Sequence, residues 1–285
     1  ERFCMAYENL QALVSTDWLA DHLNDENLRV FDCTVMMGED APSAREAYES
    51  AHIAGAPFLD LYNDLSDHSK VPFMMPDNEK VREVLAQAGI SNDSQVILYS
   101  TTTVMWATRV WWMLRSLGLE NVAVLDGGFA KWQAENRPVA SGAESYPAGE
   151  LTIAPVPERW ADKAQVRAEI ENGGTCIVHA LSAKQFNSKD DTSYGRPGRI
   201  KNSQNVPHAN LLTENGTFKP TDDLRDIFTE AGILEKEQVI AYCGGGISAT
   251  MVALGLHLVN YDKVAIYDGS LSEWGRDETL PMDVG

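Results

Sequence analysis

Cysteine is scarce in this sequence. Four thiols, Cys4, Cys33, Cys176 and Cys243, are spread over 285 residues, and no two form a Cys-x-x-Cys pair. That spacing gives no support to a zinc ribbon or a thioredoxin-type redox centre, and it is too sparse for a disulfide framework. Free thiols in a cytoplasmic protein are the expectation. The chain starts at Glu1 and not Met, which leaves room for a removed leader and so keeps export open. Long apolar runs are missing too. Stretches such as Val110–Leu114 fall far below the ~18 residues of a membrane span. Positive charge is short: 23 Lys and Arg face 42 Asp and Glu, for a net charge of −19. Such a surface repels phosphate backbones and anionic lipid, so neither nucleic acid nor membrane is an expected partner. What remains is an ordinary globular composition, 44% apolar and 8% aromatic. The length favours two domains at roughly 100–200 residues each.

The chain repeats itself. Gln95-Val96-Ile97-Leu98-Tyr99 returns as Gln238-Val239-Ile240-Ala241-Tyr242, 143 positions later, as does Ala88-Gly89-Ile90 in Ala231-Gly232-Ile233. Val122-Ala123-Val124-Leu125-Asp126-Gly127 matches Val264-Ala265-Ile266-Tyr267-Asp268-Gly269, and Trp132 matches Trp274, both 142 apart. A period this long means duplicated domains and not a solenoid. The Pro, Gly and small polar residues of 136–149 read as the join. The expected division is a first domain over 1–138, a linker over 139–150 and a second domain over 151–285.

Each half alternates strand and helix. In the first, strands are expected at 28–32, 96–99 and 122–125, and helices at 79–88 and 107–117, closed by Gly89 and Gly118. The second repeats this with strands at 176–178, 239–242 and 264–267 and helices at 221–231 and 248–259. The fold class is therefore α/β, with two parallel sheets each covered by helices on both faces. Ligands of such sheets sit beyond the carboxyl ends of the strands.

One duplicated position separates the halves. After its strand the second half reads Cys243-Gly244-Gly245-Gly246-Ile247-Ser248, and the first reads Ser100-Thr101-Thr102-Thr103-Val104-Met105. Three glycines let the backbone curl around the Cys243 sulfur and turn N–H groups inward as an anion-binding nest. The helix that follows adds its positive end. Both favour the thiolate, which is the nucleophile. The β-branched threonines disfavour that curl, and Ser100 is a weak nucleophile without a base. The first loop is expected to be catalytically silent. Cys33, Cys176 and Cys4 lack a glycine loop and read as structural thiols.

At these residues the chain resembles the rhodanese superfamily, specifically its tandem-domain sulfurtransferases. Leu13-Val14-Ser15-Thr16-x-Trp18-Leu19, His52-Ile53-Ala54-Gly55-Ala56, Arg109-Val110-Trp111-Trp112-Met113-Leu114-Arg115 and Leu125-Asp126-Gly127-Gly128-Phe129-x-x-Trp132 carry the likeness in the first half. In the second, Pro197-Gly198-Arg199-Ile200, Asn205-Val206-Pro207, the Cys243 loop and Tyr267-Asp268-Gly269-Ser270-x-x-x-Trp274 do so. The resemblance implies two tandem rhodanese-like domains with the active site in the second. It implies a persulfide on Cys243, formed from thiosulfate or 3-mercaptopyruvate and passed to a thiol or cyanide. The amides of Gly244, Gly245, Gly246, Ile247 and Ser248 would stabilise the anionic sulfur. Its partners are a small anionic donor and that acceptor, and no metal or organic cofactor is called for. The sequence carries no sign of an oligomeric state.

Departures from the family pattern bear on the donor. His179 stands where the second domain usually has an Asp, and it reads as a hydrogen-bonded structural residue. Gln185, before Phe186, replaces an Arg often used for substrate. Residues 184–201 carry five basic side chains against two acidic ones. Lys184, Arg196 and Arg199 are thus candidates to replace the missing cation, with Arg196 slightly favoured and Arg199 as easily shaping a turn. Glycine after the cysteine resembles the 3-mercaptopyruvate enzymes, but the absent Arg weakens carboxylate binding, so both donors stand open. Two other readings compete. A phosphatase of this superfamily needs a longer loop with Arg at the sixth position after Cys; here that position is Ala249, and residues 244–257 contain no Arg. A sulfur-relay or binding module would load one partner protein without small-molecule turnover.

Overall fold

The computed structural model describes residues 12–38, 40–190 and 194–285. Cys4 and Asp191 lie outside them. Among the described residues thirteen strands follow in chain order: β1 Leu13–Val14, β2 Leu28–Asp32, β3 His52–Ile53, β4 Gln95–Tyr99, β5 Val122–Leu125, β6 Val139–Ala140, β7 Trp160–Ala161, β8 Thr175–His179, β9 Arg199–Ile200, β10 Gln204–Asn205, β11 Gln238–Tyr242, β12 Val264–Tyr267 and β13 Met282–Asp283. The first sheet has the order β1-β5-β4-β2 and the second β10-β8-β11-β12-β7, with every neighbouring pair parallel. In each sheet the central strand is the duplicated, β-branched run, buried over its last four residues. Apolar side chains on both faces of such a strand need helices above and below.

The register repeats as well as the order. Asp32 lies opposite Tyr99, and His179 opposite Tyr242. The Ile53 N–H donates to the Tyr99 hydroxyl at 3.1 Å, and the Ile200 N–H to the Tyr242 hydroxyl at 2.9 Å. Antiparallel pairs β3–β6 and β9–β13 close the two halves alike.

The halves face each other through the helices Met105–Ser116 and Ala249–Leu258. The second is apolar nearly all round, and every one of its residues is buried. Equivalent residues meet across this contact. Thr108 Oγ1 lies 2.8 Å from Thr250 Oγ1, and Arg115 Nη1 lies 3.5 Å from His257 Nε2. The Met75 N–H donates to Asp268 Oδ2 at 2.6 Å, and the equivalent Phe218 N–H to Asp126 Oδ1 at 2.8 Å. A patch that pairs with its own copy in this way is an isologous contact, here built inside one chain.

The segment read as a linker is fastened to the first half. Val139 and Ala140 pair with β3, the Tyr146 hydroxyl donates to Gly55 O at 2.8 Å, and the Gly149 N–H donates to Ala86 O at 2.7 Å. Attachment continues to Val156, whose N–H donates to Ser116 O at 2.8 Å. Its polar composition serves a surface strap, anchored at intervals by hydrogen bonds to the domain beneath.

Candidate active site

Cys243 follows the carboxyl end of β11, where a parallel sheet presents its ligand site. The cysteine is buried, only 2% exposed. The loop that leaves it is held by the turn after β12. Ser270 Oγ accepts from the Cys243 N–H and the Gly246 N–H, both at 3.1 Å, and donates to Tyr267 O at 2.7 Å. One donor and two acceptor sites exhaust a hydroxyl. Ser270 adopts a left-handed φ of 47° to do this, a strained state for a non-glycine residue and one that clusters at functional sites. Its counterpart in the first half is Gly128.

The loop carbonyls are held in turn. The Leu271 N–H donates to Cys243 O at 3.1 Å, and Ser272 donates to Gly244 O from both N–H and Oγ at 2.8 Å. Gly246 O accepts from Arg109 Nη1 of the first half at 3.2 Å. A trans peptide is planar, so fixing a carbonyl aims the next N–H to the opposite side. The N–H groups so aimed are those of Gly244, Gly245 and Ile247. These three and the N–H of Ser248 donate to no acceptor among the described residues. Gly246 departs from the expectation: its N–H is spent on Ser270. The helix Ala249–Leu258 starts at this point with no side-chain cap, leaving its orphan amides and positive end at the loop.

A side chain at 244 would have to displace Tyr194. A Cβ there would lie 2.1 Å from Tyr194 Cζ. The Tyr194 phenol thus lies against the loop, and burial together with the nearby Cys243 pushes its pKa up. At Gly246, φ is 74° and a Cβ would meet Asp268 O at 2.7 Å.

The first-half loop has the same frame and different wiring. The Phe129 N–H holds Ser100 O at 3.2 Å, as Leu271 holds Cys243 O. Two of its amides are consumed, however. The Thr101 N–H donates to Thr34 Oγ1 at 2.9 Å and the Thr102 N–H to Ser100 Oγ at 3.2 Å.

Two of the basic candidates are committed to backbone carbonyls. Arg196 Nη2 donates to the carbonyls of Trp274, Asp277 and Leu280 at 3.3, 2.6 and 3.1 Å. Its guanidinium is a strut for the chain end, which redirects the expectation that it meets substrate. Arg199 stacks on Phe186 at 4.3 Å and donates to Phe186 O and Gly285 O. Gln185 closes a capping box with Ser182, and Lys184 is exposed on the same short helix. His179 is buried against Tyr242 and Phe186, with Nε2 unpartnered among the described residues. Burial brings its pKa down to about 4, so the ring is neutral. Burial pushes the thiols of Cys33 and Cys176 up, which keeps them protonated and unreactive. Among the described residues no cluster of three or more His, Cys, Asp or Glu is placed to hold a metal ion, and no helix is long and apolar enough to cross a membrane.

Comparison with known proteins agrees with this geometry. The model of the rhodanese-like domain matches residues 15–135 and again 162–277. The chain belongs to the rhodanese family. Its two rhodanese domains share 35% identity with a 3-mercaptopyruvate sulfurtransferase of Escherichia coli, over 95% of this chain and 97% of that protein. A thiosulfate sulfurtransferase of Rattus norvegicus is 32% identical over 93% of this chain and 92% of its own. The crystal structure of SseA from Escherichia coli, described as showing the rhodanese fold and the mechanism of 3-mercaptopyruvate sulfotransferases, superposes with a TM-score of 0.82. It is 34% identical and covers 90% of this chain and 98% of its own. This protein is accordingly a sulfurtransferase.

Arg109, Ser270, Ser272 and Tyr194 were not singled out by sequence reasoning. The signal for Ser270 was the repeat itself: glycine at 128 becomes serine at 270, beside whichever of the two duplicated loops has a cysteine.

Proposed function

We propose that this protein moves a sulfane sulfur from 3-mercaptopyruvate or thiosulfate to a thiol or cyanide acceptor through a persulfide on Cys243. The observation that carries the reading is the set of unspent loop amides, of Gly244, Gly245, Ile247 and Ser248, around a cysteine at the carboxyl end of a parallel strand. The Cys243 thiolate attacks the donor sulfur, and a Cys–S–S⁻ bond forms. With thiosulfate the old S–S bond breaks and its electron pair leaves on sulfite. With 3-mercaptopyruvate the C–S bond breaks and the carbon takes the pair and the thiol proton, giving pyruvate. An acceptor thiolate or cyanide then attacks the outer sulfur and returns Cys243 to the thiolate. The anion stays on sulfur near the loop throughout, so fixed amides act as an oxyanion hole does. The carrier is the cysteine itself, and the reading uses no metal or organic cofactor. Free buried thiols at Cys33, Cys176 and Cys243 fit a reducing, cytoplasmic setting.

Of the two donors, 3-mercaptopyruvate suits the site better. Tyr194, a neutral phenol, lies where a basic side chain at 244 would extend, and Arg196 and Arg199 are engaged elsewhere. A dianion would find few cations here. Side-by-side kcat/KM values test this: 3-mercaptopyruvate is expected to exceed thiosulfate, and Cys243→Ser is expected to abolish both. A higher value for thiosulfate would reverse the donor assignment, and activity in Cys243→Ser would remove the mechanism.

A further inference from the structure

Arg109 reaches the loop from the other domain. It is fully buried, and its guanidinium carbon lies 4.8 Å from the Trp160 ring centroid. Nη1 donates to Asp268 Oδ1 at 2.7 Å and to Gly246 O at 3.2 Å, while Nη2 donates to Phe73 O at 2.6 Å. The other Asp268 oxygen accepts from the Met75 N–H at 2.6 Å. The contact has no mirror image. The repeat puts Met251 at the position of Arg109, one residue beyond the Thr108–Thr250 pair on the axis. So the facing helices match at the axis and differ at the next residue.

A buried guanidinium is costly unless paired, and Asp268 pairs it. The ion pair is close to neutral as a unit, so its long-range field at the sulfur is small. What survives neutralisation is orientation. The second domain pins the Cys243 and Gly244 carbonyls with its own Leu271 and Ser272. The Gly246 carbonyl is pinned by Arg109 alone among the described residues. That peptide ends in the Ile247 N–H, one of the unspent donors. A guanidinium on its carbonyl also polarises the peptide and strengthens the N–H as a donor.

We propose that Arg109 of the first domain is a positioning residue for the reaction at Cys243: by gripping the Gly246 carbonyl it aims the Ile247 N–H at the anionic sulfur. The proposal rests on the reading of Cys243 as the persulfide carrier. It gives the domain without a nucleophile a part in the chemistry of the other. A mere interface strut in the same place would alter stability and leave the folded enzyme's chemistry alone.

Full-length Arg109→Met, which installs the residue found at 251, separates the two. Three quantities are read: the rate of persulfide formation in a single turnover, the donor KM, and the rate of iodoacetamide alkylation of Cys243 at one fixed pH, followed by peptide mass. The rate is expected to fall about 10²-fold, as for one misaimed oxyanion donor. KM is expected to stay within about threefold. The alkylation rate is expected to fall about tenfold, because a misaimed amide supports less thiolate. Arg109→Lys is expected to recover only part, because one ammonium cannot span Gly246 O, Asp268 and Phe73 O together. A folded Arg109→Met with native rates of persulfide formation and alkylation overturns the proposal, and so does full recovery in Arg109→Lys. Should the Met variant fail to fold, Asp268→Asn keeps the shape and frees the guanidinium, and unchanged values there overturn it equally. If the native protein itself takes no sulfur on Cys243, the underlying reading falls first.

Discussion

His179 and Asp32 occupy one position in the two halves, at strand ends opposite Tyr242 and Tyr99, and both are fully buried. Burial works on them in opposite senses: it raises the carboxyl and lowers the imidazole, disfavouring the charged form of each. For His179 the sign is clear. Its folded value of about 4 lies below the ordinary 6.5, so the unfolded chain binds the extra proton first. Its contribution is complete above pH 6.5 and is lost as the pH falls toward about 4. His179→Phe keeps a ring against Tyr242 and Phe186 and removes the titration. In urea unfolding, the variant should gain about 3 kcal/mol on the native protein between pH 7 and pH 4. A constant difference across that range would show that the imidazole is not held neutral. An Asp would sit in this place with its own penalty, so the departure from the family pattern changes which proton is carried and not the burial.

At the scale of elements, the two loops show what was legible. The strands Leu28–Asp32 and Val122–Leu125 and the glycine loop after Cys243 are found where the sequence puts them, because burial of β-branched runs and left-handed turns are local demands. The two-residue strands β3, β6, β9 and β13 were missed. Such pairs are set by a partner 80 or more residues away (His52 with Ala140, Arg199 with Asp283) and carry no period of their own. The basic residues failed for a related reason. Charge counts say that Arg196 is cationic, but not that three carbonyls of the chain end already hold it. Silence of the first loop was expected from stiffness at threonine. The geometry offers a more specific cause, since Thr101 and Thr102 spend their amides on hydroxyls. Restoring the nucleophile alone should therefore not restore the site. Ser100→Cys, tested in a Cys243→Ser background, is expected to take no sulfur from either donor. Sulfur loading at the introduced thiol would mean that the quenched amides do not matter.

At the scale of the molecule, duplication has produced a pair of domains that meet as equals and differ in the loop after the duplicated strand. The axis is marked by self-pairing: Thr108 with Thr250, Arg115 with His257, and Asp126 and Asp268 each accepting an N–H from the opposite half. One-sided contacts are laid over it, chiefly Arg109 on the Gly246 loop. The charge follows the same division. Residues 1–145 carry 10 basic and 22 acidic side chains, and residues 146–285 carry 13 and 20. An acidic molecule can still receive a small anion where the receiving groups are backbone amides, which need no cationic side chain.

The central claim is that one of the two domains carries sulfur, and that it does so on Cys243. The direct measurement is the intact mass of the native chain after incubation with 3-mercaptopyruvate or thiosulfate in the absence of acceptor, followed by peptide mapping. The expected result is a gain of a single sulfur atom per chain, located on the peptide of Cys243 and lost when cyanide or a thiol is added. No adduct, an adduct on Cys33 or Cys176, or one that resists the acceptor would contradict it.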